Sequence, residues 1–185
     1  MSGNAPAPEI KGLYINGSWT PAGRQFNDFN PSDDSLWARI PDGDVGDTRL
    51  AIDAAKAAFP GWAGLKFQER ADYMLKIADV ILSKAPAFIN AAQHEGGGWY
   101  GKGAYEVKAL SEIFKSAAAA CYQPIGEVLP SLNGKVSTVV RVPLGVISVL
   151  SPWNFPGILS ARPFSFIMAA GNTVVLKPSE ETPYM

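Results

Sequence analysis

The chain is 185 residues long, 47% hydrophobic and 18% charged, the profile of a globular protein with enough apolar surface to bury a core. Sixteen Lys and Arg against 17 Asp and Glu leave a net charge of −1, which excludes the basic footprint of a nucleic-acid binder. The single cysteine, Cys121, excludes an intrachain disulfide and fits a reducing compartment. Pro, Gly or charge interrupts each apolar stretch well short of the about 20 residues a membrane span needs. No basic segment followed by an apolar one opens the chain, so cytoplasm is expected, without a membrane partner.

Residues 1–11 are Pro/Ala-rich and read as a loose tail. Asn16-Gly17 between aromatic flanks predicts a hairpin over Gly12 to Trp19. Asn30 to Asp33 reads as a turn, and Leu36 to Ile40 as a short strand. Asp47 is placed to cap a helix with Leu50, Ala54, Ala57 and Ala58 on one face. A second helix runs from Gln68 to Lys84, with Met74, Ile77, Ala78 and Ile81 at core spacing. Pro86 opens a third, ending near His94 before Gly96-Gly97-Gly98, and a fourth covers Ala104 to Tyr122.

From Gly126 the pattern turns to β-branched runs. Glu127 to Pro130 and Val136 to Val142, joined through Asn133-Gly134, predict a long hairpin. Val146 to Leu150 is a continuous apolar strand, suited to burial on both faces of a parallel sheet. A turn over 151–157, a helix from Ile158 to Ala170 and a strand from Thr173 to Leu176 complete a βαβ unit of about 30 residues. Thr182-Pro183 reads as the opening of another helix. One βαβ unit leaves sheet edges unpaired, so the chain is expected to be cut in mid-domain.

Two places carry candidate chemistry. The turn Ser151-Pro152-Trp153-Asn154 follows a parallel strand, where open α/β sheets bind ligands. The Asn154 amide suits a developing negative charge, since its NH2 donates without losing a proton. Equally, Trp153 and Phe155 belong to a core and Asn154 satisfies turn backbone; the residues alone leave both readings open. At the next strand end, Lys177-Pro178-Ser179-Glu180 places an acid that can accept from ribose hydroxyls beside a lysine donor. A solvated Lys/Glu pair is the plainer alternative. No G-x-G-x-x-G follows the first strand. Cys121 lacks an activating neighbour and reads as packing. His94, the only histidine, has no second metal-type ligand near it and reads as a helix-end surface residue. No metal is expected. Glu95 could cap or pair, with no chemistry assigned.

PLGVISVLSPWNFP (143–156) followed by AAGNTVVLKPSEETP (169–183) closely resembles the aldehyde dehydrogenase superfamily. YINGSW (14–19), AIDAAKAAFPGWAG (51–64) and EGGGWYGKGAYEV (95–107) extend the resemblance over nearly the whole chain after residue 12. Gly96 stands where the family usually has Thr. The resemblance implies an α/β, Rossmann-like fold, truncated, with N-terminal hairpins and helices and the first βαβ unit. Residues 12–124 would be the hairpin and helical part, 125–142 an oligomerisation hairpin and 143–185 the start of the cofactor unit. It implies aldehyde oxidation with NAD or NADP through a cysteine thiohemiacetal and thioester. Asn154 matches the oxyanion-stabilising asparagine; Ser151, Pro152, Trp153 and Asn154 match the cofactor-lining turn; Lys177 and Glu180, with Ser179 between them, match the ribose-holding pair. The nucleophile, general base and phosphate turn lie beyond these residues in the family, so the chain alone is expected to be inactive. The stretch 126–160 is most similar to the benzaldehyde and vanillin dehydrogenase branch, and a homo-oligomer, dimer or tetramer, acting on a small aldehyde is implied. A non-catalytic nucleotide-binding or structural paralogue is the alternative; it would have no reason to keep Asn154 and Glu180 together.

Overall fold

The computed structural model describes residues 12–185; the tail expected over 1–11 lies outside the described residues. Asn16 and Gly17 both adopt positive φ, 51° and 76°, which matches the twist of a tight hairpin between β1 (Leu13–Ile15) and β2 (Ser18–Thr20). A second antiparallel pair follows, β3 (Gln25–Phe29) with β4 (Leu36–Pro41). Strand β3 has no counterpart in the sequence reading. Its Asn27-Asp28 centre is poor in strand formers and is held by pairing with β4 rather than by propensity. Trp37, Ala38 and Ile40 form a small core there with Phe26.

Helix α1 (Val45–Ala63) is capped by Asp44, not Asp47. Asp44 Oδ1 accepts from Gly46 and Asp47 N–H, while Asp47 Oδ2 accepts from Asp44 N–H at 3.0 Å, so Asp47 is the far half of a capping box. The expected inner face is also rotated. Leu50, Ala57 and Ala58 are exposed, and the half-buried residues are Asp47, Ala51, Ala54, Ala55, Phe59, Trp62 and Ala63. Tertiary bonds set this orientation: Thr173 Oγ1 donates to Ala55 O at 2.9 Å and Trp62 Nε1 to Met168 O at 3.0 Å.

Helix α2 (Phe67–Ser83) buries Ala71, Met74, Ala78 and Ile81, as its spacing requires. Helix α3 (Ala85–His94) carries Pro86 in its first turn. Helix α4 (Tyr100–Ala120) begins four residues before the expected Ala104. Packing asks for a glycine at 103: a Cβ on Gly103 would sit 3.1 Å from Ile89 Cα and 3.3 Å from Ala92 Cβ. The main core lies between α2, α4 and α5 (Pro156–Ala169), around Met74, Ala78, Leu110, Phe114, Ala117 and Ala161. Cys121 belongs to this core. Its thiol lies 3.5 Å from Ala117 O, and burial pushes its pKa up, the opposite of an activated nucleophile.

β5 (Gly126–Leu129) and β6 (Ser137–Val140) pair antiparallel, with Asn133 and Gly134 at positive φ in their loop. Every residue of both strands except Gly126 is exposed. β7 (Val146–Leu150) and β8 (Thr173–Lys177) are parallel, Val146 facing Thr173 and Leu150 facing Lys177, with α5 as crossover. The expectation that β7 is buried on both faces is not met: Val149 is buried, but Ser148 and Leu150 are exposed, because nothing among the described residues covers that side. Two devices lock this unit to the helices. Arg70 Nε donates to Ala169 O at 3.2 Å, at the electronegative end of α5. Asn172 Oδ1 accepts from Leu144 N–H at 2.7 Å and Gly145 N–H at 3.1 Å, while its Nδ2 donates to Ile167 O. Gly171, at φ 88°, cannot carry a side chain, since a Cβ would meet Pro143 Cγ at 2.9 Å.

Candidate active site and cofactor edge

The ends of β7 and β8 lie side by side, Ser151 N–H donating to Lys177 O at 3.1 Å. Both candidate turns therefore leave from one edge of the sheet, where α/β folds place ligands. In the first turn Ser151 is buried and its hydroxyl accepts from Ser160 Oγ at 2.7 Å. Pro152 and Pro156 fix φ on either side of the exposed tip. Trp153 is 61% exposed and Asn154 is exposed, so neither belongs to the core. Among the described residues the Asn154 amide has no hydrogen-bond partner. Other groups satisfy the backbone N–H at the two ends of the turn, at Ser151 and at Gly157 and Ile158.

The first of these groups was not singled out from sequence. Glu106, fully buried on α4, accepts through Oε1 from Gly157 N–H at 2.9 Å and Ile158 N–H at 3.3 Å. These are the second and third residues of α5, whose first is Pro156, so a carboxylate from another helix caps α5 and starts it two residues before the expected Ile158. Burial pushes the Glu106 carboxyl up; the Ile158 N–H, the Lys102 ammonium at 3.9 Å and the Gly157 N–H pull it back. Lys102 Nζ also lies 4.9 Å from the centre of the Phe155 ring. With its N–H groups occupied by Glu106, the start of α5 cannot cradle a pyrophosphate in the usual way. That agrees with the missing glycine fingerprint. The readable signal was a glutamate in phase with Gly103, Val107 and Leu110 on the inward face of α4.

At the second turn Lys177 and Glu180 are both exposed, Nζ to Oε2 3.5 Å. The Glu180 carboxyl is held below its usual range by its own backbone N–H and then by the Lys177 ammonium. Ser179 is buried, and its Oγ accepts from Glu181 N–H at 3.2 Å, so it shapes the turn that presents the pair. Thr182 Oγ1 donates to Trp153 O at 3.4 Å, tying the two turns together. An exposed carboxylate beside an exposed ammonium fits a ribose diol, which needs acceptors and a donor at one spot.

A second buried glutamate likewise accepts from two consecutive backbone N–H groups. Glu95 accepts from Tyr184 and Met185 N–H, just after Pro183. It lies against the buried Asp28. Burial raises Glu95 to about 8 and Asp28 to about 6, the negative Glu181 adding to the rise at Asp28. His94 ends α3 half-buried rather than free on the surface: it stacks on Trp37 at 4.6 Å between ring centres, and Tyr184 meets the same indole edge-on. Among the described residues no cluster of three or more His, Cys, Asp or Glu could hold a metal ion, and no helix is long and apolar enough to cross a membrane.

Comparison with known proteins gives these residues a context. The pattern of the aldehyde dehydrogenase family matches residues 19–185. A vanillin dehydrogenase of Pseudomonas fluorescens is 38% identical over 176 residues, 92% of this chain and 36% of that protein. The structure of a salicylaldehyde dehydrogenase from Pseudomonas putida G7, complexed with salicylaldehyde, superposes with a TM-score of 0.88 at 32% identity, covering 91% of this chain and 36% of that one. A NAD-dependent benzaldehyde dehydrogenase from Corynebacterium glutamicum does so at 0.89 and 31% identity, over 96% and 39%. The chain thus spans little more than a third of the length of each of these relatives.

Proposed function

Because the chain belongs to the aldehyde dehydrogenase family, we propose that it is the N-terminal part of a NAD-dependent enzyme oxidising an aromatic aldehyde to its carboxylic acid. The carrying observation is the Asn154 amide: exposed, without a hydrogen-bond partner among the described residues, and presented by a turn held at both ends, by Ser151 N–H to Lys177 O and by Gly157 and Ile158 N–H to Glu106. The nucleophile is a cysteine thiolate outside residues 1–185, since Cys121 is buried with a raised pKa. Its attack on the carbonyl pushes negative charge onto the aldehyde oxygen, and the Asn154 NH2 donates to that oxygen as the charge grows. The thiohemiacetal is then oxidised to a thioester, which water cleaves. NAD+, when bound, would supply the oxidising power by accepting the carbon-bound hydrogen of the thiohemiacetal together with its electron pair.

Glu180 accepts from the adenosine ribose hydroxyls and Lys177 donates there; a carboxylate at that spot repels a 2′-phosphate and so favours NAD+ over NADP+. Ser151, Pro152 and Trp153 form the wall between this edge and Asn154, and Ser179 holds the Glu180 turn in shape. The exposed Val128, Leu129, Val139 and Val140 of β5 and β6 support an oligomer contact there. A reducing cytoplasm suits a thiolate enzyme. The test is aldehyde-dependent NADH formation and light scattering, on the complete protein and on residues 1–185 alone. Turnover by a dimer or tetramer, with none from residues 1–185, is expected. Turnover by residues 1–185 that disappears in Cys121→Ala would overturn the reading.

A further inference from the structure

The Asn154 reading leaves one requirement unmet. An oxyanion donor works only if it is held in place before charge develops, yet Asn154 itself bonds to nothing among the described residues, and its turn has an exposed tip. Something must anchor the turn from behind. Three observations converge on α4. Glu106 is completely buried, and its Oε1 takes the N–H groups of Gly157 and Ile158, three and four residues after Asn154. Among the described residues its Oε2 has no hydrogen-bond partner, and the Lys102 ammonium, 3.9 Å away, also covers the Phe155 ring. A buried carboxylate is costly, so these few bonds hold it tightly, and the backbone it grips with it. Finally, Gly157 lies so close to α4 that a Cβ there would be 2.5 Å from Leu110 Cδ1.

We propose that Glu106 is a positioning residue for the aldehyde-binding turn: its buried carboxylate, by accepting from Gly157 and Ile158, sets where Asn154 presents its amide. The proposal rests on the oxyanion reading of Asn154 and goes beyond it, because Glu106 touches neither aldehyde nor cofactor. The same arrangement recurs at the adjoining edge, where Glu95 holds Tyr184 and Met185.

The experiment compares Glu106→Ala, Glu106→Gln, Asn154→Ala and the double variant Glu106→Ala/Asn154→Ala in the complete enzyme. Glutamine keeps a side-chain oxygen that can accept the same two N–H groups; alanine does not. In Glu106→Ala, kcat per folded molecule falls roughly 10–10²-fold, the scale of a misplaced catalytic group, with NAD+ Kd unchanged. In Glu106→Gln, kcat stays close to the parental value. In the double variant the loss is no greater than in Asn154→Ala, because Glu106 acts only through that residue. Parental kcat in folded Glu106→Ala, or losses that multiply in the double variant, overturn the proposal. Amide hydrogen exchange over residues 151–158 tests it without chemistry. Exchange should quicken in Glu106→Ala and stay slow in Glu106→Gln. Unchanged exchange in Glu106→Ala overturns it, even in a parent that oxidises no aldehyde; such a parent would by itself refute the oxyanion reading instead.

Discussion

Two asparagines 18 positions apart make opposite predictions when each is replaced by alanine. Asn154 makes no hydrogen bond among the described residues and is exposed, so its removal orphans nothing, and stability should stay within about 0.5 kcal/mol. Asn172 is buried and serves three backbone groups. Leu144 is exposed, and its N–H regains water. Ile167 O keeps its bond from Asn172 N–H at 3.1 Å. One donor remains, the half-buried Gly145 N–H, and orphaning it costs about 1–3 kcal/mol. Activity should divide the other way. In the complete enzyme Asn154→Ala should lower kcat/KM by roughly 10²–10³ with NAD+ affinity nearly normal. Asn172→Ala should follow the folded fraction alone. Denaturant unfolding, NAD+ titration and steady-state kinetics on the two variants decide the matter. Asn154→Ala that stays folded with near-parental turnover would refute the oxyanion role. Asn172→Ala with undiminished stability would refute the accounting of its bonds.

Glu180→Gln should narrow the preference for NAD+ over NADP+; an unchanged ratio of the two kcat/KM values removes Glu180 from the ribose site. The Asp28–Glu95 pair makes stability depend on pH. Its carboxyls bind protons more tightly folded than unfolded, with Glu95 raised from 4.5 to about 8 chiefly by burial. Their contribution is therefore fully present below the unfolded pKa and fades as pH climbs through about 8. The melting temperature should fall over that window, and Glu95→Gln, which has no proton to lose, should flatten the fall. Identical profiles for parent and variant would count against the pair.

Local signals in the sequence were enough for much of the architecture. Asn16-Gly17 specifies its hairpin because positive φ is cheap there, and the core face of α2 follows from helical spacing that is complete within its own 17 residues. The order strand, turn, helix, strand over 146–177 was legible for the same reason, and it placed Asn154 and Glu180 on one sheet edge. Tertiary structure decided what depends on partners distant in sequence. The rotation of α1 is set by Thr173 and Met168, and the helical Gly103 of α4 by close approach to Ile89 and Ala92. Glu106 bonds Gly157 51 residues away, and Glu95 bonds Tyr184 89 residues away. Helical phase can show that such a side chain faces inward, as it does for Glu106, but nothing near it in sequence names the distant backbone it satisfies. From sequence it is only a charged residue on a helix or at its end, and its role appears when folding buries the carboxylate against the N–H groups that donate to it.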